Sequence, residues 1–184
     1  MMSQTFECLD LTDRKALDEY ERAFYTAFVR VTGNQLIRSL WVWDDAKRQL
    51  KTRIAYEDQL IFVGRNEAGK LETAIATNIA CREWQSAAFG FSRPTEQEIC
   101  CEFLTLFSVG DYRLGLKLRF WEACFAELRR RGLNTAYATT AARLLQGYLR
   151  IGGVLLEEKE ITGEMRYFLK FSLERDWMIR RGGG

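Results

Sequence analysis

The chain contains no histidine among its 184 residues. That absence removes the one side chain that ordinarily titrates near neutrality. Within a single chain it excludes Ser-His-Asp and Cys-His nucleophilic sites, imidazole proton shuttles and His-containing zinc sites. Acid and base work falls to carboxylates, tyrosine, lysine, cysteine, the backbone or water. Charge of one sign is also scarce, since a formal net charge of +2 gives no strong pull toward nucleic acid or a membrane surface. No apolar run approaches the ~20 residues that a membrane-spanning helix requires. The polar start Met1-Met2-Ser3-Gln4 lacks the basic-then-apolar order of a signal peptide, so the expectation is a cytoplasmic protein. The five cysteines, Cys8, Cys81, Cys100, Cys101 and Cys124, form no C-x-x-C pair, so they predict buried free thiols and no metal. Cys100 and Cys101 fall on opposite faces of a strand.

Hydrophobic residues make up 47% and aromatics 13% of the chain, enough for a folded core of ordinary size. We expect one domain over 1–175 and a tail over 176–184, with no repeat or interdomain linker. Phe6 to Leu11 predicts a strand. Thr12-Asp13 offers an N-cap for a helix carrying Leu17, Tyr20, Ala23, Phe24, Ala27, Phe28 and Val31, stopped by Gly33. A second helical segment is expected between Gln35 and Tyr56. Gln59 to Gly64 and Leu71 to Cys81 read as a hairpin around Asn66-Glu67-Ala68-Gly69, and Arg82 to Gln97, with the only proline at Pro94, as irregular.

The second half carries more chemistry. Ile99 to Val109 is nearly all apolar, as in a strand covered on both faces, and so is expected at the centre of a sheet. Gly110 to Gly115 then turns into a helix with Leu116, Phe120, Ala123, Cys124 and Leu128 on one side, ending at Gly132 after three arginines that complement its dipole. A helix N-terminus with a glycine exposes unsatisfied N–H groups, so the amides from Arg113 to Leu118, with Arg113 and Lys117 adding charge, form a candidate cradle for a diphosphate. A plain strand-to-helix turn is the alternative. Asn134 to Ala138 reads as the next strand, Thr139-Thr140 as the cap of a helix to Ile151, and Val154 to Leu173 as a closing hairpin.

This order of elements, with Tyr148-Leu149-Arg150-Ile151-Gly152-Gly153 closing the last helix, resembles the cofactor-binding half of the GNAT superfamily of N-acyltransferases. The likeness spans about Phe6 to Leu173. The single-glycine turn and the strand sequence also resemble acyl-homoserine-lactone synthases and N-acyl amino acid synthases, which use longer acyl thioesters. The resemblance implies an α/β (α+β) fold, a central mixed, mostly antiparallel sheet flanked by helices. It implies acyl-CoA, acetyl-CoA included, as co-substrate or an acyl carrier protein as donor, and an amine-bearing acceptor. It also allows a homodimer. Cofactor contacts are implied at Phe107, Ser108, Val109, Arg113, Leu114, Gly115, Leu116, Lys117 and Thr140, with Thr139 as the alternative to Thr140. The family's turn carries a second small residue that is missing here, and Ala141 stands where an Asn is common.

By the same resemblance Tyr148 protonates the departing thiolate, and Glu102, with Glu98 in reserve, takes a proton from the attacking ammonium. The structural alternatives are a packing tyrosine and a solvated strand-start glutamate. A non-catalytic binder of acyl thioesters on the same fold is the alternative function. Phe24, Tyr25, Phe28, Trp41 and Trp43 belong either to the core or to an apolar acceptor or acyl site.

Overall fold

The computed structural model describes residues 5–31, 35–94, 99–109 and 114–174. The expected mixed, mostly antiparallel sheet is present. In chain order the elements are β1 (Thr5–Cys8), α1 (Arg14–Phe28), α2 (Gln35–Leu40), β2 (Val42–Asp44), β3 (Gln49–Lys51), β4 (Gln59–Arg65), β5 (Leu71–Asn78), β6 (Cys100–Ser108), α3 (Leu114–Arg130), β7 (Thr135–Ala141), α4 (Ala142–Arg150), β8 (Val154–Ile161) and β9 (Glu164–Ser172). Seven strands form one sheet in the order β1-β4-β5-β6-β7-β9-β8, and β2-β3 is a separate hairpin. Every neighbouring pair in the large sheet is antiparallel except β6 and β7, which run parallel. A parallel pair needs a crossover, and α3 supplies it.

Each face of the sheet has its own apolar core. On one face Tyr20 and Phe24 of α1 pack on Phe107, Tyr137 and Phe168. Phe24 lies flat on Phe107, ring centroids 5.3 Å apart. On the other face Phe120, Trp121, Cys124, Phe125 and Leu128 of α3 cover Ile75, Cys101, Phe103, Leu169 and Phe171. β4, β5 and β6 are buried on both faces, which accounts for their near-continuous apolar sequences. Helix α1 starts where Asp13 predicts it, the Asp13 carboxylate accepting from the Lys15 and Ala16 amides. Its expected stop at Gly33 lies outside the described residues.

Two expected helices are shorter than the periodicity suggests. The segment from Gln35 to Tyr56 is helical only to Leu40, and then forms the β2-β3 hairpin. The turn chemistry prevails over the apolar spacing there. Asp44 accepts from the Lys47 amide at 3.0 Å, and Arg48 adopts φ +56°, both incompatible with continued helix. Thr139 and Thr140 are not a helix cap: β7 runs on through Ala141 because its ladder with β9 continues to Ala141 opposite Arg166. Helix α4 therefore begins at Ala142 without a side-chain cap. Within the segment read as irregular, Gln85–Phe89 forms a 3-10 helix.

The pair Gly152-Gly153 closes α4 onto the sheet. A Cβ on Gly153 would lie 2.9 Å from the Phe171 ring and 2.9 Å from the Tyr148 carbonyl, whereas Gly147, inside α4, has nothing within 4 Å. Gly153→Ala is expected to lower stability by about 1–3 kcal/mol through overpacking. Gly147→Ala is expected to raise it by about 0.5–1 kcal/mol, as for glycine inside a helix. Urea denaturation of the two variants checks the pair, and equal stabilities would show that α4 does not dock as tightly as described.

Candidate active site

Strands β6 and β7 pair over a short stretch only. Cys100 to Phe103 face Thr135 to Ala138 in parallel register, and no pairing continues beyond. Yet β6 extends to Ser108, still bonded to β5, and β7 to Ala141, still bonded to β9. The two strands therefore diverge, and the edges they turn toward each other have no strand between them. A β-bulge marks the start of the divergence: Thr77 faces Phe103 and Ala76 faces Thr105, leaving Leu104 unmatched. Leu104 and Phe107 consequently lie in the same core, three residues apart, where a regular strand would separate them by an even number.

A cleft of about 600 Å³ occupies this opening. Leu104, Thr105 and Leu106 line one side, Thr139 to Leu144 the other, and Tyr148 of α4 also lines it. Apolar groups from α1 and α2, namely Phe28, Ile37, Leu40 and Trp41, form a further wall. Arg30, Arg143 and Arg166 line the cleft against one acidic side chain, Glu164, so its field is cationic. Thr139 and Thr140 each hold a buried hydroxyl that meets no hydrogen-bond partner, as does the Nε of Arg166.

The wall beside the bulge is built by a polar network. The Gln85 amide nitrogen donates to the Leu104 carbonyl at 2.8 Å, and the Gln85 carbonyl oxygen accepts from the Trp41 indole at 2.9 Å. Gln85 is fixed in turn by Glu102. One carboxylate oxygen accepts from the Gln85 backbone N–H at 2.8 Å and the other from the Ser86 N–H at 2.7 Å. Glu102 is 1% exposed. Burial pushes its carboxyl pKa up, while the Ser86 and Gln85 amides pull it back down. It therefore lies buried behind the Gln85 wall, and is not the solvated glutamate that was the alternative.

Tyr148 sits differently. Its ring meets Trp121 edge-on at 6.2 Å and Phe171 at 5.9 Å. Burial pushes its phenol up to about 12, so at neutral pH it is a proton donor facing the cleft.

The remaining expected site residues divide into four groups. Thr140 lines the cleft. Phe107, Ser108 and Val109 do not: the Phe107 ring is in the α1 core, and Thr73 donates to the Phe107 carbonyl at 2.8 Å and meets the Ser108 hydroxyl at 3.2 Å. The Val109 amide donates to the Glu72 carbonyl. Leu114, Gly115 and Leu116 have their backbone in the first turn of α3, and Lys117 is exposed there. Arg113 and Glu98 lie outside the described residues, as do residues 110–112 of the turn. Sequence reading missed Gln85, Arg166 and the bulge. Gln85 lay in a segment without periodicity, and Arg166 reads as an ordinary polar strand residue. Burial raises the thiols of Cys101 and Cys124, which keeps them protonated and poorly nucleophilic. Among the described residues no group of three or more Cys, Asp or Glu is placed to hold a metal ion, and no helix is long and apolar enough to cross a membrane.

No protein-family model matches the chain and no curated protein sequence is similar to it. Solved structures are similar in fold. The CoA-dependent acyl-homoserine lactone synthase BjaI, with SAM and isopentyl-CoA, superposes with a TM-score of 0.75 at 13% identity, over 97% of this chain and 87% of that one. FeeM, an N-acyl amino acid synthase from uncultured soil microbes, gives 0.60 at 11% identity over 96% and 94%. The ribosomal-protein-S18-alanine N-acetyltransferase from Escherichia coli gives 0.58 at 15% identity over 94% and 96%. The chain thus has the GNAT fold that the order of its elements led us to expect.

Replacing Gln85 with Ala removes the partners of the Leu104 carbonyl and the Trp41 indole N–H together. The expected loss is about 1–3 kcal/mol for each buried group left unpaired, read by urea denaturation. A loss below about 0.5 kcal/mol, the scale of an ordinary surface substitution, would mean that the bulge is held by something other than Gln85.

Proposed function

We propose that this chain is an N-acyltransferase that moves an acyl group from an acyl thioester, acyl-CoA, to a primary amine by direct attack. The observation that carries the reading is the divergence of the only parallel strand pair among the described residues into a cleft lined by two open strand edges. Such edges offer backbone donors and acceptors to an extended ligand carrying amides, as the pantetheine arm of coenzyme A does. The fold neighbours support it, since those named above are acyl-homoserine lactone, N-acyl amino acid and N-acetyl transferring proteins.

In this reaction the neutral amine attacks the thioester carbonyl carbon, the C–N bond forms, the C–S bond breaks, and amide and free thiol leave. Backbone N–H groups along the open part of β6 stabilise the carbonyl oxygen as it gains charge. Tyr148, held as a phenol, gives its proton to the departing sulfur. Glu102 receives the amine proton through water, because its carboxylate lies behind Gln85 and does not line the cleft. The backbone at the start of α3, from Leu114 to Lys117, is where the diphosphate of the donor would bind, by its N–H groups and the helix dipole. The apolar wall of Phe28, Ile37, Leu40 and Trp41 favours an acyl chain longer than acetyl.

The test is incubation with acyl-CoA donors of graded chain length and a panel of amines, with free thiol and amide product measured together. Release of thiol coupled to amide formation is the expected result. No thiol release with any combination, CoA-linked or carrier-protein-linked, would overturn the reading.

For the two assigned residues, Tyr148→Phe and Glu102→Gln are each expected to lower kcat by roughly 10²-fold or more while donor affinity stays near normal. Wild-type activity should rise with pH as Glu102 ionises, through a value raised above the usual carboxylate range by burial. The Gln variant should lack that acidic limb. Full activity in both variants would dismiss the assignments.

A further inference from the structure

We infer that Cys81 and Cys100 form a dithiol site, which a low-molecular-weight disulfide converts into a Cys81–Cys100 disulfide that staples the Gln85 wall of the cleft to β6. The inference stands without the acyl-transfer reading, since it invokes neither donor nor acceptor.

All five cysteines are thiols, and Cys81 and Cys100 are the two that are half-buried. They meet because the chain folds back at the end of β5. Asn78, near that end, stands opposite Glu102 in the β5-β6 ladder, and three residues later Cys81 adopts φ +51°, a left-handed conformation uncommon for a residue with a side chain. The Asn78 side chain holds this bend. Its Oδ1 accepts from the Cys81 N–H at 2.9 Å, and its Nδ2 donates to the Glu83 carbonyl at 2.6 Å. The Cys81 thiol is thereby turned toward β6, where its Sγ lies 3.6 Å from the Cys100 carbonyl oxygen and 3.5 Å from the Asn78 carbonyl oxygen. It also hydrogen-bonds the Cys100 side chain. Among the described residues no third Cys, Asp or Glu joins the pair to hold a metal ion.

The contact sets the order of the chemistry. Hydrogen bonding to Cys100 and burial both raise the Cys81 thiol, so Cys81 keeps its proton and donates it, and Cys100 is the sulfur that attacks. With glutathione disulfide as oxidant, the Cys100 sulfur bonds to one glutathione sulfur, the glutathione S–S bond breaks, and one glutathione leaves as a thiol. Cys81 then loses its proton and displaces the second glutathione from Cys100. Two cysteine thiols are oxidised by two electrons, and one glutathione disulfide becomes two glutathione thiols.

The link would act on the cleft. Cys100 shares its strand face with Glu102, two residues on, and the chain from Cys81 leads through Glu83 to Gln85 and Ser86, whose N–H groups bind the Glu102 carboxylate. A disulfide closes this whole segment into a covalent ring with the start of β6. A ring restricts the open states of the segment inside it.

The test equilibrates the intact reduced protein in graded ratios of glutathione to glutathione disulfide, followed by rapid alkylation and peptide mass mapping. The expected result is a Cys81–Cys100 link at ratios where the exposed Cys8 carries glutathione and the buried Cys101 and Cys124 remain thiols. In Cys81→Ser the glutathione adduct should persist on Cys100, because the displacing thiol is gone. Hydrogen exchange over residues 82–89 is expected to slow about 10-fold in the linked protein relative to the reduced one. Independent alkylation of Cys81 and Cys100 at every ratio, a lasting glutathione adduct on either in wild type, or a link between another pair would overturn the dithiol site. Unchanged or faster exchange in the linked protein would overturn its hold on the cleft wall. The wild-type measurements decide both points if the Ser variant does not fold.

Discussion

The arrangement depends on one pairing that stops early. Parallel strands β6 and β7 share hydrogen bonds only from Cys100 to Phe103 and from Thr135 to Ala138, and everything proposed for the cleft follows from the residues beyond that point. Unpaired strand edges inside a protein are costly, because each buried backbone N–H or carbonyl without a partner loses free energy comparable to a hydrogen bond. The fold tolerates them here because β6 remains bonded to β5 and β7 to β9. Apolar cores on both faces hold the paired ends. What is left open is available to water or to a ligand with amides of its own.

The bulge at Leu104 is the second constraint, and it explains where the polar residues are. An unmatched residue in a central strand leaves backbone groups to be satisfied locally. The Gln85 side chain supplies the donor for the Leu104 carbonyl. Gln85 in turn needs a fixed backbone, which Glu102 provides by accepting from two successive N–H groups at the start of the 3-10 helix. A single buried carboxylate thus shapes the wall and stands one layer from the cleft. The structural duty and the proposed catalytic one are compatible, since its raised pKa and its position one residue before the cleft-lining Phe103 have the same origin, burial beside the diverging strands.

Much of the fold was legible where periodicity and turn chemistry agreed. Ile99 to Val109 read as a central strand because both faces are covered, and Asp13 read as a cap because its carboxylate answers helix amides. Reading failed where tertiary pairing overrode local preference. Thr139-Thr140 resembles an N-cap, but the β9 ladder holds both residues extended. The segment after Leu40 has helical apolar spacing, but Asp44 and Arg48 turn it back on itself. At the cleft, Tyr148 and Thr140 are lining residues that the resemblance had pointed to, Tyr148 through the Tyr-Leu-Arg-Ile-Gly piece and Thr140 as a substitute for the Asn that Ala141 replaces. Phe107 was misread in kind: its apolar character fits a cleft or a core equally, and only the bulge decides that it faces α1. Arg166 and Gln85 were invisible, because what makes them matter is tertiary: Arg166 is buried with its Nε unpartnered, and Gln85 reaches from its 3-10 helix to the Leu104 carbonyl and the Trp41 indole, and no local pattern records either.

The alternation of side chains along β7 has a last consequence. Thr139 follows Tyr137 toward α1, while Thr140 follows Ala136 and Ala138 toward α3 and α4. Two consecutive residues lining one cleft therefore belong to opposite faces of the sheet, so the cleft passes through the sheet instead of lying on it. The face with Tyr148 and the start of α3 carries the groups to which the proposed function assigns the thioester sulfur and the diphosphate. The opposite face carries Arg166, Thr139 and the aromatic wall from α1 and α2. Different elements thus build the two sides, and on the proposed function substitutions on α1 or α2 would change which acceptor or acyl chain fits while leaving β5 and β9, which hold the open strand edges, untouched.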